Sequence, residues 1–197
     1  MDNLVIGNYT LEFDEETHKY FVDGVETISV TQLIKFKFPK KYARIPKARL
    51  QAKAKKGTIL HEAIEIYEDF GLERNDLQEF RDYKFLKSRF KWKVFKQEIP
   101  VIIKHGGLVV CGRFDQLQIV DGVYGIADIK HTSSLDKDYL GYQLNLYRLG
   151  VQQSYGYNIE FLQGIHLNDG KRKYIDIPIN EKLVFDLLEE YERNKND

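Results

Sequence analysis

The stretch Val120-Asp121-Gly122-Val123 constrains this chain more than any other, because an Asp-Gly pair between two runs rich in β-formers calls for a two-residue hairpin turn. Counting outward from Val120 facing Val123 places Asp115 directly across from Asp128 on one face of the sheet. Opposed residues hold their Cβ atoms about 4.5–5.5 Å apart, where like charges destabilise the ladder. A hard divalent cation gripped through oxygen removes that repulsion, so the pair points to one or two Mg²⁺ or Mn²⁺ ions. The period of two puts Lys130 on the same face as Asp128 and turns Ile129 toward the core. The competing reading is a surface ion-pair ladder of Asp128 and Lys130, and the tripeptide alone does not separate the two.

Around this hairpin the chain alternates strand-like and helix-like segments. The stretch from Tyr9 to Val25 reads as a strand pair turning at Asp23-Gly24, an accessory hairpin within a segment covering residues 1–30. Ser29 and Thr31 can cap a helix beginning near Gln32, and Pro39 and Pro46 break the next stretch into short basic pieces. A helix from Lys47 to Phe70 stops at Gly71, with Leu60, Ile64 and Tyr67 on one side, and a second runs from Leu77 to Phe90. Strands come next at Val94–Ile103, Leu108–Val120 and Val123–Lys130, with Pro100 marking an edge or a bulge in the first. A helix from Lys137 to Gln152, strands near Ile159–Leu167 and Tyr174–Ile177, and a C-terminal helix over residues 181–193 complete the pattern. The expected fold is one α/β domain spanning residues 1–197, a central mixed sheet flanked by helices, with its core over residues 47–178.

The apolar runs are strand-sized, so neither a membrane span nor a signal peptide is visible, and a cytoplasmic location is expected. The single cysteine, Cys111, excludes an iron–sulfur cluster or zinc ribbon built from this chain alone, which leaves oxygen and imidazole to hold any metal. The formal net charge is +0. That average hides segregation: Lys35, Lys37, Lys40, Lys41, Arg44, Lys47, Arg49, Lys53, Lys55 and Lys56 succeed one another without an acidic residue, whereas the chain is mostly acidic from Glu181 onward. A polyanion such as DNA suits the basic segment, against the plainer reading of a solvated face. Phe36, Phe38 and Tyr42 between the lysines suit base stacking or, equally, anchoring of the segment to the core.

On the first long helix His61 and Glu65 are one turn apart, so His61 can reach a metal while Glu65 orients its imidazole. Gln143 and Tyr147 are likewise one turn apart on the helix after Lys130 and can wall the same site.

Taken in order, Gly57-Thr58-Ile59-Leu60-His61-Glu62-Ala63-Ile64-Glu65, Gly112-Arg113-Phe114-Asp115, Asp128-Ile129-Lys130 and Gln143-Leu144-Asn145-Leu146-Tyr147 resemble the four motifs of the RecB-like branch of the PD-(D/E)xK nuclease superfamily. The form they resemble is that of small phage-type exonucleases, and Tyr20-Phe21-Val22-Asp23-Gly24 with Ser29-Val30-Thr31 extends the likeness to the N-terminus. The resemblance implies a restriction-endonuclease-like core and a Mg²⁺- or Mn²⁺-dependent DNA exonuclease. It implies His61, Asp115, Asp128 and the Ile129 carbonyl as metal ligands, Lys130 as the catalytic lysine, Gln143 and Tyr147 as DNA contacts, and Glu98 as a further acidic position. Lys53, Lys55 and Lys56 are the basic residues expected to touch DNA. The implied setting is DNA recombination or repair beside a single-strand annealing protein, a recombinase or a separate helicase. A structure-specific endonuclease and a non-catalytic DNA-binding accessory protein are the rival readings.

Overall fold

Among the described residues of this computed structural model, which are 2–41, 43 and 45–196, nine strands form one mixed sheet with helices on both faces. Tyr42 and Arg44 of the basic segment lie outside the described residues. The N-terminus is a meander of four antiparallel strands, β1 (Asp2–Ile6), β2 (Tyr9–Asp14), β3 (Lys19–Val22) and β4 (Val25–Ser29), in which β1 and β2 form a hairpin. The Asp23-Gly24 turn joins β3 to β4. The last strand of the meander, β4, pairs with the main sheet.

Ser29 then caps α1 (Val30–Lys37) through a reciprocal box with Gln32, which satisfies two backbone donors at the helix start. Next come α2 (Lys47–Phe70), closed by Gly71 at φ 70, and α3 (Gln78–Phe90). Strands β5 (Lys93–His105), β6 (Leu108–Val120) and β7 (Val123–Lys130) form an antiparallel unit, and α4 (Lys137–Tyr155) crosses over to β8 (Ile159–Asn168), which lies parallel to β7. Helix α4 passes the expected stop at Gln152, since Gly156 at φ 72 is the residue that can end it. The edge strand β9 (Lys171–Ile177) and helix α5 (Glu181–Asn196) finish the chain.

Two apolar cores sandwich the sheet. One packs Leu33 of α1, Leu144 of α4 and Leu187 of α5 against Val101, Phe114 and Ile126; the other packs Leu60 and Ile64 of α2 and Phe80 of α3 against Ala127, Ile129 and Ile165. A smaller cluster seats Ile6, Leu11 and Val22 of the meander on Ile102 and Cys111. Among the described residues no helix is long and apolar enough to cross a membrane.

Strand β6 is the hub. Strand β5 lines one of its edges from end to end, with an irregularity near Phe95 and Pro100 tolerated because β5 has no other partner strand among the described residues. The opposite edge is shared: β4 pairs there at Val110 and Cys111, and β7 from Gln116 to Val120. Between them, Gly112 to Asp115 face a fork where the two strands part.

Candidate active site

The Asp121-Gly122 turn has both residues at positive φ, 50 and 86, as a two-residue hairpin requires. Val120 faces Val123 and the register runs down to Gln116 facing Ala127. The ladder ends one pair short of the aspartates. At that step the Asp115 Oδ2 accepts the Ile129 backbone N–H at 2.6 Å, so the carboxylate replaces the next rung.

Beside this rung the sheet changes faces. Residues two apart on a strand normally share a side, yet Gln97 bonds the Glu65 carbonyl of α2 at 3.1 Å while Ile99 packs into the α4 core. On β6, Phe114 meets the Tyr147 ring of α4 at 5.7 Å while Gln116 donates to the Tyr83 hydroxyl of α3 at 2.8 Å. Both switches fall at Glu98 and Asp115, and Glu98 takes φ 47 to make its own. A non-glycine residue held there stores strain of order 1–3 kcal/mol, a cost that clusters at functional sites.

The switch gathers donors. One ligand atom each from His61, Glu98 and Asp115 lies within 4.8 Å of the other two. His61 Nε2 is 3.1 Å from the Ile129 carbonyl oxygen and its Nδ1 is 3.7 Å from Asp115 Oδ1. Glu98 also pairs with Arg113 at 3.0 Å, yet its carboxyl is pushed up to about 7, first by burial and then by the Asp115 charge. Two mutually repelling carboxylates beside an imidazole form a donor set that fits a hard or borderline divalent cation.

Asp128, almost wholly buried, forms an ion pair with Lys130 at 2.6 Å. Burial raises the Asp128 pKa against the pull of Lys130. Burial also opposes the Lys130 charge, but Asp128 and then Asp115 outweigh it and hold the ammonium protonated. On the wall formed by α4, Gln143 points its amide at the Tyr147 hydroxyl at 3.5 Å, a long contact, and burial raises that hydroxyl well above its usual value. Gly112 explains how α4 comes so near: a Cβ there would sit 2.8 Å from Tyr147 and 2.9 Å from Val30.

The remaining expected residues divide. The imidazole of His61 has the Ile129 carbonyl and Asp115 as its partners, and Glu65 acts on the cluster through its charge, which helps raise Glu98. Lys55 and Lys56 are exposed on α2, whereas Lys53 reaches back to Asn168 at 2.9 Å. Elsewhere in the basic run Lys37 pairs with Glu190 and Lys41 with Asp136, so part of its charge is neutralised within the fold. Phe36 meets Tyr191, and Phe38 meets Tyr139 and Tyr142, so these rings anchor the segment to the core. Gln97 and Gln116, each beside a carboxylate donor, tie β5 and β6 to the helical layer; both stand out only once the face switch is seen.

No protein-family model matches the chain, and no curated protein sequence matches it. Solved structures do. The crystal structure of SSO0001 is 20% identical, with a TM-score of 0.48 over 87% of this chain and 77% of that one. That of a protein of Eubacterium rectale, provisionally named an exonuclease, is 16% identical, with a TM-score of 0.50 over 86% of this chain and 79% of the other. At that identity the likeness is one of fold, and the chain therefore has a mixed α/β fold of the kind seen in that Eubacterium rectale protein.

Proposed function

We propose that this chain is a metal-dependent deoxyribonuclease that hydrolyses phosphodiester bonds from a DNA end. The observation that carries the reading is the convergence of His61, Glu98 and Asp115 beside the buried Asp128–Lys130 pair. His61, Asp115, Asp128, the Ile129 carbonyl and Glu98 would hold Mg²⁺ or Mn²⁺. A bound ion supplies a water of lowered pKa and shields charge on the phosphate.

The protein groups do the rest. Lys130 stays protonated in its carboxylate surroundings, so it acts as a fixed cation that orients the attacking water or the phosphate oxygens and not as a base. Asp115 anchors the site to β7 through the Ile129 N–H, and Glu65 sits one turn beyond His61 as support from the same helix. Gln143 on α4 and the exposed Lys55 and Lys56 on α2 would contact the DNA on either side, the buried Tyr147 would act through its contact with Gln143, and Lys53 would have to leave Asn168 to join them. Strand processing in recombination or repair, with unwinding or annealing done by a separate protein, is the setting such an activity fits.

The test uses end-labelled single- and double-stranded linear DNA and covalently closed circles, each with Mn²⁺ and with chelator. Linear DNA should be shortened only with Mn²⁺ and circles left intact. Asp115→Asn and Asp128→Asn should each abolish cutting and weaken Mn²⁺ binding in calorimetry. Cutting of circles would make the protein an endonuclease, and DNA binding without any cutting would make it an accessory protein.

A further inference from the structure

We infer that Phe13, Tyr20 and Arg113 form a shelf on which a nucleobase of the DNA strand stacks beside the cleaved bond, an inference that rests on the nuclease reading. The register of the meander puts the shelf there. Leu11 faces Val22 across β2 and β3, and the next pair on the same face is Phe13 with Tyr20. Leu11 and Val22 are buried on Cys111 of β6. The following residue on that face of β6 is Arg113, and beyond it comes Asp115. The aromatic pair therefore occupies the last step of the meander before the donor cluster.

The contacts bear this out. The two rings lie 4.6 Å apart, the Arg113 guanidinium is 5.6 Å from the Phe13 ring centre, and Arg113 Nε is 3.0 Å from Glu98 Oε2. A continuous path of rings and guanidinium thus runs from the meander to a carboxylate of the candidate metal site. Extension of the core explains only part of this: Tyr20 packs against the apolar cluster, but Phe13 lies beyond it, both rings keep part of their surface exposed, and the Arg113 side chain is 44% exposed. Aromatic rings with an arginine plane suit any nucleobase, because every base offers a π-face.

Charge decides which part of a nucleotide fits. The exposed Glu15 and Glu16 at the adjoining β2–β3 turn repel phosphate, so the shelf takes the base, while the phosphates are left to Lys55 and Lys56 on α2.

The experiment measures binding of a single-stranded oligodeoxynucleotide in Ca²⁺, with an abasic residue placed at each position in turn and 2-aminopurine at the position found most sensitive. The parent should lose about tenfold in affinity at one position next to the site of cutting, and should quench 2-aminopurine there. Phe13→Leu and, independently, Tyr20→Leu should lose about as much on intact DNA and little more on the abasic strand. Phe85→Leu, an exposed aromatic change on α3, serves as the control, and melting curves confirm that each variant is folded. If both meander variants bind the intact strand like the parent, which itself binds and cuts, the shelf alone is overturned. A parent that neither binds nor cuts DNA overturns the nuclease reading and the shelf together.

Discussion

Replacing Glu98 with glutamine removes one of the two carboxylates that face each other where β5 and β6 change sides, at almost constant volume. In the parent without metal this carboxyl is raised from 4.5 to about 7, so the folded state keeps a proton that the unfolded chain gives up. The folded state binds more protons across that window, and stability must fall as pH rises through it. Each pH unit between the two values is worth about 1.4 kcal/mol, so the loss amounts to about 3 kcal/mol by neutral pH. Glutamine does not titrate. In chelator the melting temperatures of parent and Glu98→Gln should therefore diverge from pH 4.5 upward, the variant gaining about 6–12 °C relative to the parent by about pH 8. Loss of the Arg113 contact adds a small offset, about 1 kcal/mol or less for so exposed a pair, and does not produce this pH dependence. Adding Mn²⁺ should reverse the order, because the parent regains a counter-charge that the variant holds poorly. Calorimetric melts at several pH values read the effect directly. A parent-to-variant difference that stays constant with pH in chelator would show that Glu98 carries no such burden and that the crowding of carboxylates has been misread.

Lys130→Ala leaves the buried Asp128 carboxylate without its cation, and should cost about 3–5 kcal/mol of stability in chelator. At saturating Mn²⁺ the folded variant should cut about a hundredfold more slowly in single-turnover assays. Lys55→Gln with Lys56→Gln should flatten the dependence of DNA affinity on salt by about one charge each, read from binding isotherms at several salt concentrations. Gly112→Ala pushes a methyl into Tyr147 and Val30, and should lower stability by about 1–3 kcal/mol in denaturant titrations.

The parts legible in the sequence were those written in local chemistry. An Asp-Gly pair set the register of β6 and β7, and Gly71 ended α2 where a left-handed residue was needed. What stayed hidden depends on contacts distant along the chain. Nothing in the sequence around Glu98 announces a positive φ, because a non-glycine residue held there leaves no compositional mark. The partners that neutralise Lys37, Lys41 and Lys53 come from Glu190, Asp136 and the β8–β9 turn. Phe36 and Phe38 looked as suited to bases as to a core, and only the approach of α4 and α5 decides between them. The strand pairing that joins the meander to the sheet involves Ile28 and Ser29, too short a stretch to leave a pattern.

The position of β6 as hub has a consequence for the order of assembly. Glu98, Asp115 and Asp128 ride on three successive strands linked by short turns, whose contacts are local and form early. The imidazole of His61 comes from a helix well outside that unit, and β4 must close a loop from Ile28 to Val110 before the fork exists. In pulse-labelled hydrogen exchange, amides of β5 to β7 should be protected before those of α2 and of Ile28 and Ser29. A nascent chain would then carry its carboxylates together for some time before it holds a complete set of donors, and competence to cut should arrive with the docking of α2 and not with the sheet.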